Sequence, residues 1–381
     1  MAKKQFDTSL ADSQATTIKP VSGKHFDYDA FAGYEAEMDE RCRVFTGADS
    51  GVLVHRRVRV MEVFTYGCRD MKQSLEWQLG AMMESIKYKM DIPNFLEPWY
   101  GIGTVASAFG IDYSWPEGQA PVVNYAFRNV EEALQFECMP VEETAIGIHT
   151  LNMIDYFLEK TGGSLPMSVC DSQSPLNVAT SLIHVDDFLM DLFMNPEGVL
   201  QFLERIAGLI IDFYRKQEEI IGDCLVKPGH GFASSRYFQG NGYSDDMIHM
   251  LSPDLYQSCI QPSFVTAGAA FGGGAFHSCG DWSKFAHMVK SIPGLVAADG
   301  AFSVETDPDP NPCEPFAEAF AGTGIVLNAR MVGDVDTICQ SISELWRPGM
   351  KLTAVSYCKT PEEQASAYNL IHEICNGKIQ V

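Results

Sequence analysis

From Val58 onward, short apolar runs alternate with longer stretches of helical periodicity, and this alternation constrains the fold more than any other feature of the chain. Runs of four to eight apolar residues suit strands buried on both faces, and the amphipathic stretches between them suit helices that cover those faces. The strand candidates are Val122 to Phe127, Met167 to Cys170, Cys224 to Val226, Gly274 to Cys279, Leu295 to Ala298, Gly324 to Leu327 and Leu352 to Tyr357. Asn195-Pro196-Glu197 supplies a cap, a first-turn proline and an acidic first turn ahead of Val199, Leu200, Leu203, Ile206, Ala207 and Ile210 at helical spacing. Ser252-Pro253-Asp254 opens a second helix in the same way, Thr360-Pro361-Glu362-Glu363 adds a capping box, and Gln73 to Lys89 is a further helix. The pattern predicts an α/β fold, a single (β/α)8 barrel over 58–381, with a doubly wound open sheet as the alternative. Residues 1–57 are polar and of mixed charge. They read as an N-terminal extension or arm, available to pack on the main body or on a second subunit of a homodimer.

Several strand candidates end in, or are closely followed by, residues capable of chemistry: Asp171, His230, His277 and Cys279, Asp299 and Glu305, Arg330, and Cys358. In a barrel these positions converge on one face, where the loops after each strand meet. The chain carries 27 Lys and Arg against 50 Asp and Glu, a formal net charge of -23. Nucleic acid and anionic membrane surfaces are thereby excluded as partners, since both are bound through clustered basic residues. No stretch approaches the roughly 20 apolar residues of a membrane span. Eleven cysteines, an odd number, are scattered through a chain whose start shows no signal-peptide pattern, so a reducing cytoplasmic location is expected. The thiols are candidates for packing, metal binding or catalysis.

His277 and Cys279 lie two apart at the end of a strand candidate, so both side chains project to one side and can address one atom. Gly280 and Asp281 then permit a turn into a helix. Cys358 ends the last strand candidate, a position that a closed barrel would bring to the same centre. One imidazole and two thiolates suit zinc, whose catalytic sites combine three protein ligands with an open fourth position. A thiol entering that position would lose its proton and become a nucleophile toward an electrophilic carbon. Read without further context, the His-x-Cys pair is equally a buried histidine beside a structural thiol.

The run His277-Ser278-Cys279-Gly280, preceded by Ser244-Asp245-Asp246 and Leu251-Ser252-Pro253 and followed by Cys358, resembles the uroporphyrinogen-decarboxylase-like superfamily, and within it the methylcobamide:coenzyme M methyltransferase branch. The resemblance covers roughly 58–377 and is most specific from Asp245 to Cys358. It implies a (β/α)8 barrel, a zinc site formed by His277, Cys279 and Cys358, and transfer of a methyl group between a corrinoid and a thiol or related acceptor such as coenzyme M or tetrahydrofolate. The corrinoid, methylcobalamin-like, would arrive as co-substrate on a separate corrinoid protein. Ser303-Val304-Glu305-Thr306 resembles the segment that supplies a glutamate ligand in cobalamin-independent methionine synthase, which makes Glu305 a candidate fourth ligand. The superfamily's other activity, metal-free decarboxylation of a tetrapyrrole, calls for an arginine-bearing N-terminal segment that Val58-Arg59-Val60-Met61 does not reproduce.

Asp171 is a candidate to orient substrate or accept a proton, and Asp245 a candidate to hold a substrate group at the barrel mouth; each is also a plausible cap. His184-Val185-Asp186-Asp187 reads as a substrate-loop or packing element. Gly272-Gly273-Gly274 lacks the Lys and Ser/Thr of a phosphate loop and reads as a tight turn before the metal strand. Cys313, after a proline-rich loop, is the reserve metal ligand.

Overall fold

The structure is a computed structural model and describes residues 18–377. Its strands are β1 (Gly51–Arg56), β2 (Tyr113–Ser114), β3 (Val122–Val123), β4 (Asn241–Ser244), β5 (Gly274–His277), β6 (Leu295–Ala301), β7 (Val326–Met331) and β8 (Lys351–Ser356). Six of them form one sheet in the order β1-β8-β7-β6-β5-β4, with every neighbouring pair parallel. Strands of this kind are buried on both faces, and all six residues of β8 are buried. The α/β class read from the alternation is borne out.

Between the two edge strands the backbone continues the same pattern in pieces too short to count as strands. Asp91 N donates to Val54 O of β1 at 2.7 Å, and Leu96 and Ser168 exchange bonds with Pro166 and Leu96 at 2.8 and 3.0 Å. Met167 N donates to Cys224 O at 2.8 Å, and Val226 N donates back to Met167 O at 2.9 Å. Ser244 of β4 exchanges bonds with Ser172 and Ser174, each 2.9 Å. Parallel bridges at Leu96↔Met167, Met167↔Leu225 and Gln173↔Ser244 give the direction of each piece.

The helices follow their sequence signals where the caps were clear. Pro196–Ile221 starts on the Asn195 cap and buries Val199, Leu203, Ile206, Ala207 and Ile210. Pro361–Cys375 carries the complete Thr360/Glu363 capping box and Pro253–Leu255 begins on the Ser252 cap, whereas the helix read as Gln73 to Lys89 runs over Met71–Ser85 on an Asp70 cap. Two departures have physical causes. The stretch read as an arm contains a helix, Tyr28–Gly47, and the strand β1. The helix buries Phe31, Glu35, Met38, Cys42 and Phe45 in one stripe, but Glu35 interrupts it as a sequence signal. Glu35 is tolerated there because Arg236 donates to it at 3.0 and 3.1 Å from another part of the chain. The other departure is Val122 to Phe127, where only Val122 and Val123 form strand, antiparallel to β2 and outside the main sheet. Val122 is largely exposed, so this apolar run does not mark a buried strand. Among the described residues no helix is long and apolar enough to cross a membrane.

Candidate metal centre

Register places the central contact. His277 of β5 is paired with Asp299 of β6, which is paired with Asn328 of β7. Adjacent strands lie about 4.8 Å apart, so three polar side chains in one row on one face must meet. Nδ1 of His277 donates to Oδ2 of Asp299 at 2.6 Å; the other oxygen accepts from Asn328 Nδ2 at 2.5 Å, and Arg330 Nε donates to Oδ2 at 3.0 Å. Asp299 is fully buried. Burial alone would raise its pKa, but the Arg330 guanidinium and the bonds from His277 and Asn328 hold it below the usual carboxylate value. Burial would likewise depress His277, yet the hydrogen bonds to Asp299 and Cys279 outweigh it and hold the imidazole well above its ordinary value. A histidine whose Nδ1 is committed to a carboxylate presents Nε2 as its ligand atom.

That Nε2 faces Sγ of Cys279 at 3.6 Å and Oδ1 of Asp246 at 3.8 Å. Two turns hold these groups. Cys279 N donates to Asp246 Oδ1 at 2.8 Å, and the following Gly280, at φ 71, donates to Asp307 Oδ2 at 2.9 Å. Asn177 Nδ2 holds the second oxygen of Asp246 at 3.1 Å. One ligand atom from each of Asp246, His277 and Cys279 lies within 4.8 Å of the others. An imidazole nitrogen, a sulfur and a carboxylate oxygen so converged fit a zinc ion with a vacant coordination position.

The other residues singled out in the sequence fall in several places. Cys358 is buried beside Arg56, Glu363 and Cys339, with its thiol pushed up to about 11 by burial; its sulfur is not part of the converged group. Tyr357, one residue earlier, belongs to a core cluster with Leu53, Val355 and Ala233, and Cys358 to the cluster that holds Cys339 and Ala367. Consecutive residues of an extended chain face opposite sides, so the pleat sends this thiol toward the helices. Glu305 lines a separate cavity of about 210 Å³ with Val332, Tyr357, Lys359 and Glu363. Cys313 opens the helix Cys313–Phe320 and donates to Ser341 O at 3.6 Å, also on the helix layer. Asp245 is fully buried, and both its oxygens are taken, by Ser174 Oγ at 2.9 Å and Tyr256 Oη at 2.5 Å. Burial raises its pKa to about 7. It anchors the loop, and its neighbour Asp246 is the carboxylate that reaches the group. Asp171 accepts from Trp99 Nε1 at 2.9 Å and Gln173 Nε2 at 3.1 Å. His184 caps the helix Val185–Met194, and Gly272 and Gly273 form a positive-φ turn before β5.

Two contributors were hidden from sequence reasoning. Asp246 could not be told from Asp245, because the difference lies in which one the loop turns inward. Glu97, beside Arg57 and His230, lies outside every strand candidate, since its segment pairs through isolated bridges and a proline follows it. Asp91-Ile92-Pro93-Asn94-Phe95-Leu96-Glu97 has neither strict alternation nor a long apolar run, so the sequence carried no strand signal there.

Residues 95–226 match the Uroporphyrinogen decarboxylase (URO-D) family. A solved structure described as a methyltransferase from Methanosarcina mazei superposes with a TM-score of 0.63 at 14% identity, over 88% of this chain and 98% of its own. At that identity the likeness is one of fold. No curated protein matches the chain. The resemblance to the uroporphyrinogen-decarboxylase-like superfamily read from the sequence is thus borne out.

Proposed function

Starting from its likeness to the uroporphyrinogen-decarboxylase-like superfamily, we propose that this chain is a (β/α)8-barrel methyltransferase that moves a methyl group between a corrinoid and a thiol acceptor at a zinc site. The backbone bonds between β1 and β4 support the barrel. Counted together with the segments around Asp91–Leu96 and Met167–Gln173, and with Cys224–Pro228 and β4 sharing the fourth position, the sheet strands would make eight parallel staves of a closed ring. Gly242 N donates to Pro228 O at 2.7 Å where the two halves of the fourth position meet. The metal-capable residues then stand at the C-terminal ends of their strands, where barrel enzymes carry their chemistry.

The observation that carries the reading is the convergence of Asp246, His277 and Cys279 with Asp299 fixing the imidazole. His277 and Cys279 would hold zinc and Asp246 would be the exchangeable oxygen donor; Cys358, whose thiol lies on the helix side, would supply the second sulfur only if the ion turned the end of β8 inward. Zinc bound there supplies a Lewis acid that lets a thiol lose its proton near neutral pH. The chain's own residues do the rest. Asp299 orients His277, and Asn177 and the Cys279 amide hold Asp246 in place. Arg330 keeps Asp299 ionised inside the barrel. The methylated corrinoid is a co-substrate carried on a partner protein, and a small thiol such as coenzyme M, or the pterin tetrahydrofolate, is the acceptor class.

Elemental analysis of protein purified without chelator, with methyl transfer from free methylcobalamin to 2-mercaptoethanesulfonate followed by the corrinoid spectrum, tests this. About one zinc per chain and a spectral change are expected. Zinc-free, inactive protein would transfer the reading to metal-free decarboxylation of a tetrapyrrole. Zinc without any corrinoid change would leave a metal-binding interaction module.

A further inference from the structure

A cavity of about 310 Å³ lies between the N-terminal ends of β6, β7 and β8, opposite the strand ends that carry the metal group. Residues two apart on a strand share a face, so Ala297 lies one layer below Asp299, and Val326 one layer below Asn328, on the face of the polar row. Phe232 and Phe238, from the loop between Pro228 and β4, and Phe45, at the end of the helix Tyr28–Gly47, complete an apolar wall. Phe232 packs with Ala275 and Ala297, and the ring centres of Phe45 and Phe238 are 6.2 Å apart. Toward the metal group the cavity ends at Asn328, whose Nδ2 donates to Asp299 and whose Oδ1 accepts from Ala233 N at 3.1 Å. Both ends of that amide are engaged, so the inner end of the cavity suits hydrocarbon.

One charged side chain stands in this wall. Lys351 opens β8 and is 8% exposed, in a chain whose formal net charge is -23. Its Nζ donates to Thr46 O at 3.1 Å and lies 4.9 Å from the Phe45 ring centre. An ammonium has three N–H donors, and one carbonyl takes one of them. Burial lowers the pKa of Lys351, and the Asp49 carboxylate opposes this only in part. An anion beside the ammonium would offset the cost of burying it.

Size and polarity together define what fits. An apolar cavity of about 150 Å³ takes up benzene, so at the same filling this one holds about twelve non-hydrogen atoms. A largely apolar wall with a single placed polar group is the usual make-up of a small-molecule site. We propose that the cavity binds a medium-chain carboxylate, an acyl anion of about ten carbons, with its carboxylate on Lys351 Nζ and its chain between Phe45, Phe232, Phe238 and Val326. The site is separate from the metal group, and the assignment does not depend on the methyl-transfer reading.

Isothermal calorimetry on the full-length protein as purified, with decanoate below its micellar concentration, tests the site without reference to activity. Saturable binding of one decanoate per chain is expected. Lys351→Met keeps the length of the side chain and removes its charge; it should weaken decanoate about 10- to 100-fold and leave the weaker binding of 1-decanol unchanged. Lys351→Arg should retain decanoate. Val326→Phe fills the cavity and should abolish binding of both molecules, with the Tm of each variant checking that it is folded. Decyltrimethylammonium, the same chain with a cationic head, should not bind wild type, a comparison that needs no variant. Decanoate that fails to saturate, or that binds Val326→Phe as well as wild type, would overturn the site. Full decanoate affinity in Lys351→Met, or decyltrimethylammonium bound as tightly as decanoate, would overturn the carboxylate assignment.

Discussion

Oδ2 of Asp299 stands 2.6 Å from Nδ1 of His277 because the two residues are register partners on adjacent parallel strands. The carboxylate is fully buried and also bonded by Asn328 and Arg330, so it has no freedom to turn elsewhere. Replacement by Asn removes the charge that selects Nδ1–H and leaves the ring free to choose its tautomer. Asp299→Asn is expected to weaken zinc binding about 10- to 100-fold, read by competition with a chromophoric chelator. Unchanged affinity would mean that the imidazole is held by its strand alone.

The two cysteines have different starting positions, and cobalt substitution separates their roles. Cys279 is exposed beside His277, while Cys358 is buried with its thiol held protonated by burial. Sulfur-to-cobalt charge-transfer absorption should vanish with the metal in Cys279→Ala and fall by roughly half in Cys358→Ala, since each thiolate ligand contributes its own transition. Full intensity in Cys358→Ala would give the third position to Asp246.

Asp91 joins the N-terminal helix to the last one. Its oxygens meet Arg41 at 2.9 Å, Tyr368 at 2.7 Å, His372 at 2.9 Å and the Val54 amide at 2.9 Å, and the residue is 2% exposed. Asp91→Ala leaves the partly exposed Arg41 and three further donors without their acceptor and should cost about 1–3 kcal/mol in chemical denaturation. Burial opposes ionisation of Asp91, but the bonds from His372, Tyr368 and Val54 outweigh it and lower its pKa. A carboxyl depressed in the folded state stabilises fully above its unfolded value, about 3.9, and loses that contribution as pH falls through the folded value. Denaturation midpoints of wild type should therefore drop in acid more steeply than those of Asp91→Asn.

Gly268 lets the helix Gln261–Ala269 lie directly on the start of β5. A Cβ there would meet Gly274 N at 2.7 Å and Gly274 Cα at 2.8 Å, backbone atoms that cannot rotate aside. Alanine gains about 1 kcal/mol of helix propensity, but overpacking of this kind costs about 1–3 kcal/mol. A lower Tm and a weaker zinc site are expected for Gly268→Ala, because β5 carries His277 at its other end. A raised Tm would show that helix and strand separate without cost.

Local chemistry was legible in the sequence wherever one short segment contained the whole signal. The Asn195-Pro196 and Thr360–Glu363 helix starts needed only their own side chains and backbone, and both occur where they were read. His277 and Cys279 project together because strand periodicity is two, a property of the chain itself. The alternation of apolar runs and amphipathic stretches required an α/β architecture, since neither kind of segment can bury its apolar surface alone.

What involves partners distant in sequence had no such signal. The buried Glu35 is stable only because Arg236 reaches it, so the helix Tyr28–Gly47 and the neighbouring β1 passed for an arm. Asp299 became a partner of His277 through strand register, and Asp246 was distinguished from Asp245 by a loop whose orientation depends on Ser174, Tyr256 and Asn177. Cys358 matches a ligand position by spacing, while the pleat of β8 sends its thiol toward the helix layer. Spacing along a chain bounds which residues can meet; which of them do meet depends on register, pleat and loop direction, and those are settled by the packing of the whole molecule.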